Sequence, residues 1–249
     1  MKITNLKNKS LKLRRETFLT FIKKGEAHLG GSFSMIEILV FLHEKVLKKK
    51  DKFILSKSHA SFPFSILLRS KGLKTKITTH LELDIKNGIY CTTGSLGHGL
   101  PIAAGMAFAK KIKKEKGDIY VMISDGECQE GTTWETLLIS AKHKLSNLIV
   151  LIDYNKIQAL SKIKDALPLE SLNKKFRSFN WNTVNVKNGH NFNDIRNGFK
   201  KLSKTKPNAI IFNTIKGKGI KKFENDPVWH ARKLEGKEIL IGKKSLGLK

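Results

Sequence analysis

Asp125 and Asn155 each stand just past an apolar, β-rich run, "IYVMIS" before the first and "LIVLIDY" before the second. In an open α/β sheet, residues beyond the carboxyl ends of strands line the ligand crevice. A carboxylate and an amide oxygen delivered there are hard donors, suited to Mg²⁺ or Ca²⁺ held against a phosphate. Alone, Ser124-Asp125-Gly126-Glu127 also reads as an ordinary turn and Asn155 as a loop residue. The pair therefore needs support from the rest of the chain.

Eight histidines are present. His28 in "EAHLGGSFS", His59 in "SKSHASF", His80 in "TTHLE" and His230 in "PVWHARK" fall at predicted element ends, not on apolar helix faces. Imidazoles so placed can bind hydroxyls and move protons near neutral pH. His43 and His143 read instead as helix-surface residues. Gly94, Gly97 and Gly99 in "CTTGSLGHGLPIAAG" form a glycine-rich turn that lets backbone approach a ligand closely.

Alternating elements must position these groups. Helical spacing covers residues 12–24, through Leu13, Phe18, Phe21 and Ile22. A helix is predicted over about 34–47, with Ser34 and Glu37 as a capping box, and another over about 61–71. "KFILS", "DIYVMIS", "NLIVLIDY" and "NAIIFNTI" read as strands, and the glycine turn leads into a helix of small residues. Further helices are expected near 169–178 and 192–204. The helix from about Thr132 carries Thr132 and Glu135 as a second capping box, with Trp134, Leu137, Leu138, Ala141 and Leu145 on one face. Its amino terminus is expected to favour phosphate. The predicted fold is a single α/β domain: a mostly parallel central sheet with helices on both faces, a core over about 10–235 and a basic tail over 236–249.

Composition narrows the function classes. The chain has 249 residues and a formal charge of +27, and only six of its 48 basic residues are arginine. Specific phosphate and base readers favour arginine's bidentate fork. Aromatics are not interleaved with the lysine clusters, so no specific nucleic-acid reader is expected. Most of the charge reads as solvated surface, with a share drawing anionic substrates or an acidic partner chain. No apolar run is long enough to span a bilayer, and the basic N-terminus lacks a signal's apolar core. Two cysteines without a CxxC pair argue against a disulfide framework or a structural zinc site and fit a reducing cytoplasm.

The segments "AHLGGSFS", "LSKSHAS", "TTGSLGHGLPIAAGMA", "SDGECQEGTTWE", "IDYNKIQ", "VKNGHN", "TIKGKG" and "DPVWH" together resemble the cofactor-diphosphate-binding part of transketolase. The resemblance is particularly to the separately encoded N-terminal subunit of two-chain transketolases. It implies thiamine diphosphate as cofactor, with Asp125, Asn155 and the Ile157 carbonyl holding Mg²⁺ or Ca²⁺. His59, Gly94, Ser95, Leu96, Gly126, Glu127, Asn155 and His230 are then expected to contact the cofactor. His28, His80 and His230 are expected to face the sugar. The implied reaction moves a two-carbon ketol unit from a ketose phosphate to an aldose phosphate. Four positions depart from the family pattern: Ser124 for glycine, Leu29 for proline, His98 for glutamine and Ala231 for glycine. None removes an expected metal ligand or catalytic histidine.

The family completes its site with a pyrimidine-binding domain, which this chain is not expected to contain. The resemblance thus implies a C-terminal partner subunit, with two such pairs forming a heterotetramer, and no activity alone. Pentose-phosphate metabolism and a specialised sugar both remain open as its setting. A basic binding module that kept the fold without catalysis is the reading from another class.

Overall fold

A computed structural model describes residues 3–25, 28–159 and 161–249. Five parallel strands form one sheet in the order β1-β2-β3-β5-β4: β1 (Lys52–Leu55), β2 (Ile119–Ser124), β3 (Leu148–Tyr154), β4 (Asn182–Val186) and β5 (Asn208–Asn213). Parallel neighbours need long crossovers, and helices supply them. The register pairs Leu55 with Met122, Ser124 with Asp153 and Tyr154 with Asn213, so these strands finish along one edge.

Successive side chains of each central strand point to opposite faces, and both faces are covered. Phe53, Tyr120, Met122, Ile149, Leu151 and Phe212 pack with α1 (Ile3–Lys24), α3 (Ile36–Phe41), α4 (Phe62–Ser70) and α9 (Phe192–Phe199). Ile54, Val121, Ile123, Val150, Ile152 and Ile211 pack on the other side, with α5 (Gly99–Ile112), α6 (Gly131–Lys142), α7 (Ile163–Ala166) and α8 (Leu172–Ser178). The expected two-faced α/β architecture is what forms.

Several local expectations change. The predicted helix over 34–47 divides into α2 (Leu29–Ser34), α3 and a π turn at Leu42–Val46. Neither of the two predicted capping boxes forms, at α3 or at α6. Ser34 Oγ donates to Asp153 Oδ2 at 2.5 Å, while Glu37 pairs with Arg14 and His190. Thr132 Oγ1 donates to Gly97 O at 2.9 Å. In each case a long-range partner outcompetes the local cap. Leu138 lies outside the buried face of α6, at 60% exposure. β4 escapes sequence patterning because "NTVNV" is a short edge strand with two valines.

The basic tail is also structured. Residues Gly236–Ser245 form α10, started by a reciprocal capping box between Glu235 and Glu238. Gly242 lies so close to Phe18 that a Cβ would fall 2.0 Å from its ring. Arg15 Nε closes the end by donating to Leu246 O at 2.6 Å.

His43 is not a surface residue. Its ring lies 5.4 Å from Phe53 and 5.6 Å from Phe64, with Nε2 sealed from solvent and without a hydrogen-bond partner among the described residues. Burial, then the Lys71 charge, lowers its pKa to about 3. A buried neutral histidine leaves the unfolded chain as the better proton acceptor once pH drops below about 6.5. Stability is therefore complete above that pH and falls toward pH 3. His43→Phe is expected to flatten this acid limb by about 1.4 kcal/mol per pH unit, read by urea unfolding between pH 6 and 4. An unchanged slope refutes the assignment.

Candidate active site

The carboxyl edge of the sheet gathers residues that are distant in sequence. Lys57 and His59 follow β1, Asp125 follows β2, Asn155 to Ile157 follow β3, and Thr214 to Lys216 follow β5. Of these, Lys57, His59, Asp125, Asn155, Ile157 and Lys216 line a cleft of about 260 Å³, together with Gly31, Gly94, Leu96 and His230.

Asp125 and Asn155 meet here, as their strand-end positions required. Asp125 Oδ2 accepts from Lys156 N at 2.5 Å, and Oδ1 accepts from Gly126 N at 2.9 Å. Asn155 Oδ1 accepts from Ile157 N at 3.1 Å, and Asn155 Nδ2 reaches toward Asp153 Oδ2 at 3.5 Å. Lys156 takes a φ of 66°, which turns the loop sharply between the two donors. Burial, then the negative charge of Asp153, raises the Asp125 pKa to about 7. A buried carboxyl beside a like charge is poorly compensated, and a divalent cation would relieve it. Among the described residues no cluster of three His, Cys, Asp or Glu side chains is arranged to hold a metal. An ion bound to Asp125, Asn155 and Ile157 O therefore needs oxygens from its ligand, as a diphosphate supplies.

His59 and His230 line the cleft, and the ring of His28 lies beside both. The rings of His28, His59 and His230 lie 5.5 to 5.8 Å apart. Burial, then the Lys57 charge, depresses the His59 pKa well below its ordinary value. Burial and Lys216 bring His230 to about 3. These two rings are neutral at physiological pH and can accept hydrogen bonds.

The glycine turn packs directly under the cleft. Gly97 has a φ of 77°, and a Cβ there would meet Thr132 Oγ1 at 2.6 Å. Gly94 faces His80, whose Cδ2 would lie 2.7 Å from an added Cβ. His80 thus reaches the site only along this turn, from an exposed position. Ser95 is also exposed, with Oγ 3.2 Å from His98 Nδ1, and does not line the cleft.

Glu127 departs from its expected cofactor contact. Its side chain is wholly buried behind the turn, bonded to Ser56 Oγ, to Ser124 N at 2.8 Å and to Gly97 N at 3.2 Å. It ties β1, β2 and the glycine turn together. α6 contributes no lining residue either, because the turn Gly126–Gln129 intervenes. The phosphate expected at its amino terminus has no place in this cleft.

Residues 14–249 match the thiamine diphosphate binding domain of transketolase. The chain belongs to the transketolase family. The 6-deoxy-6-sulfo-D-fructose transketolase subunit of Clostridium sp. (strain MSTE9) is 33% identical, over 92% of this chain and 92% of that protein. An apulose-4-phosphate transketolase subunit from Phocaeicola vulgatus is 30% identical, over 92% and 89% respectively. The crystal structure of Campylobacter jejuni transketolase superposes with a TM-score of 0.86 at 24% identity, which bears on fold alone. It covers 100% of this chain, which spans 44% of that longer one.

Within this transketolase-family site, sequence reasoning missed two buried lysines. Lys57 and Lys216 are each 1% exposed. Lys57 Nζ pairs with Asp153 and donates to Gly31 O at 2.9 Å. Asp153 also accepts from Thr214 Oγ1 at 2.5 Å. Burial alone would raise the Asp153 pKa, but the Lys57 ammonium holds it below the usual carboxylate range. Lys216 Nζ donates to Ile157 O at 3.1 Å and Gln158 O at 3.0 Å, and lies 2.9 Å from His230 Nδ1. Both lysines sit inside the motifs "LSKSHAS" and "TIKGKG". Nothing local distinguishes them from the many lysines on the surface.

Proposed function

We propose that this chain is the cofactor-binding subunit of a two-chain transketolase. The observation that carries this reading is the joining of Asp125 and Asn155 through the Lys156 amide, in one cleft with His59 and His230. Asp125, Asn155 and Ile157 O would hold Mg²⁺ or Ca²⁺, and Lys57, His59, Gly126 and Lys216 would face the diphosphate. Gly94 and Leu96 would lie along the cofactor, with Ser95 at the crown of the same turn. When bound, thiamine diphosphate supplies the carbanion chemistry for making and breaking a carbon–carbon bond. The chain's own part is to bind, to exclude water and to move protons. His28 and His230, with His80 at the rim, would hold sugar hydroxyls and carry protons to and from the reacting oxygens.

The named subunits from Clostridium and Phocaeicola match along nearly their whole length, whereas mouse transketolase is covered over only 40% of its own. This favours a partner chain carrying the pyrimidine-binding half, in a heterotetramer of two pairs acting on sugar phosphates in the cytoplasm. Those two relatives belong to enzymes named for unusual sugars, so a specialised ketose is the second reading beside pentose-phosphate metabolism. No described helix is long and apolar enough to cross a membrane.

Two measurements test the proposal. Calorimetry is expected to show saturable binding of thiamine diphosphate in the presence of Mg²⁺. Steeply salt-dependent polynucleotide binding without cofactor affinity would instead establish the basic-module reading. Ketol transfer is expected only when the chain is purified with its partner. Full turnover by the isolated chain overturns the two-chain assignment.

A further inference from the structure

Three side chains outside the cleft, Arg14 buried and Glu37 and His190 largely so, meet around the segment that delivers Lys216. Arg14 comes from α1, Glu37 from α3 and His190 from the turn after β4. Arg14 Nη2 pairs with Glu37 Oε1, and Glu37 Oε2 lies 2.8 Å from His190 Nδ1. None of the three lines the cleft.

The two ends of this network grip the chain on either side of Lys216. Ile215 N donates to His190 Nε2 at 2.9 Å, and Arg14 Nη1 donates to Lys218 O at 2.6 Å. Arg14 Nη1 also donates to Phe33 O at 2.9 Å, which ties the guanidinium to α2. Because Nε2 accepts a backbone proton, the ring proton resides on Nδ1 and is donated to Glu37. Burial alone would raise the Glu37 pKa, but Arg14 and His190 bring it to about 2, so the acceptor is a carboxylate. Both Glu37 oxygens, both His190 ring nitrogens and both Arg14 Nη atoms have partners, as a buried network requires.

The gripped segment has little local structure to hold it. It follows β5 without a strand or helix through Ile220, and Gly217 and Gly219 take φ values of 75° and 103°. Gly219 packs on Arg14 so closely that a Cβ would meet Arg14 Cδ at 2.6 Å. Lys216 meanwhile must bury a long side chain against Gly30, where a Cβ would lie 2.8 Å from Lys216 Cγ and Cε. A lysine so confined loses considerable rotamer entropy and hydration. Its ammonium can sit at the cleft only if the backbone on both sides is fixed.

We infer that Arg14, Glu37 and His190 are positioning residues, fixing Lys216 against the anionic end of the cofactor through the backbone of Ile215 and Lys218. The inference rests on the cofactor-binding reading above. It adds to that reading a network at a distance that sets cofactor affinity without touching the ligand.

A double-mutant cycle tests it, with thiamine diphosphate and Mg²⁺ titrated calorimetrically into the full chain. His190→Ala removes the Ile215 acceptor while Glu37 keeps Arg14, and it is expected to weaken binding about tenfold, the scale of outer-shell partners. Lys216→Met is expected to weaken binding at least as much. Adding His190→Ala to Lys216→Met should then cost no more than a further twofold, because the network acts through the side chain already removed. His190→Gln, whose amide oxygen can accept from Ile215 N, should bind within about threefold of the parent. It supplies the same cycle if His190→Ala does not fold: a threefold or smaller loss in the parent that vanishes with Lys216→Met supports the inference. Multiplicative losses in the double variant overturn it, since a merely structural role would persist without Lys216. If the parent chain itself shows no binding, the cofactor reading fails. Reductive methylation of Lys216 then judges the network, and unchanged labelling in the His190 variants overturns it.

Discussion

Asp125→Ala is expected to weaken thiamine diphosphate binding in the presence of Mg²⁺ by more than about a hundredfold, beyond what outer-shell changes produce at metal sites. The substitution removes the single carboxylate proposed to hold the ion. The folded chain should not suffer. Asp125 is buried beside Asp153 and raised to about pKa 7 by burial and that charge, so alanine relieves an unfavourable interaction. With cofactor at a hundredfold excess over its Kd, the parent chain gains about 2.7 kcal/mol, several degrees in Tm for a chain of this size. The variant should equal or exceed the parent in Tm without ligand and show no ligand-induced rise. A preserved ligand shift would remove Asp125 from the binding machinery.

Lys57→Met is expected to destabilise the fold itself, by about 3–5 kcal/mol, the range found when one partner of a buried ion pair is deleted. Asp153 is fully buried, and after the change its remaining side-chain hydrogen-bond partners among the described residues are the Ser34 and Thr214 hydroxyls and the Asn155 amide. Two hydroxyls do not neutralise a charge at that depth. Adding Asp153→Asn should recover much of the loss, giving a double variant well above the sum of the singles in chemical denaturation. Simple additivity would mean that the pair contributes no mutual stabilisation. Recovered stability should not bring back cofactor affinity, since Lys57 also lines the cleft.

The readable and unreadable parts of this site divide along physical lines. Strand-end placement is local information: a β-rich apolar run followed by a polar residue marks where a strand stops, and that pattern alone picks out Asp125 and Asn155. Side-chain partners are not local. Ser34 with Glu37, and Thr132 with Glu135, have the spacing of capping boxes, yet Ser34 binds Asp153 and Thr132 binds Gly97. His43 follows a helical pattern that points to solvent, but β1 and α4 close over its ring with Phe53 and Phe64. Glu127, one residue beyond Gly126, turns into the core because Ser56 and the glycine turn offer it donors there.

From the residues alone came the parallel α/β architecture, the two oxygen donors at adjacent strand ends and the family motifs. Each depends on period, strand propensity or residue type, which a chain displays along its own length. Only the tertiary structure separated Lys57 and Lys216 from the exposed lysines, joined Arg14 and Glu37 to His190, and gathered three imidazoles within 6 Å. The electrostatic consequence of a charge is set by what covers it and what opposes it. Here the covering and opposing groups come from elements tens to hundreds of residues away, and they meet only when the sheet brings its carboxyl edge together.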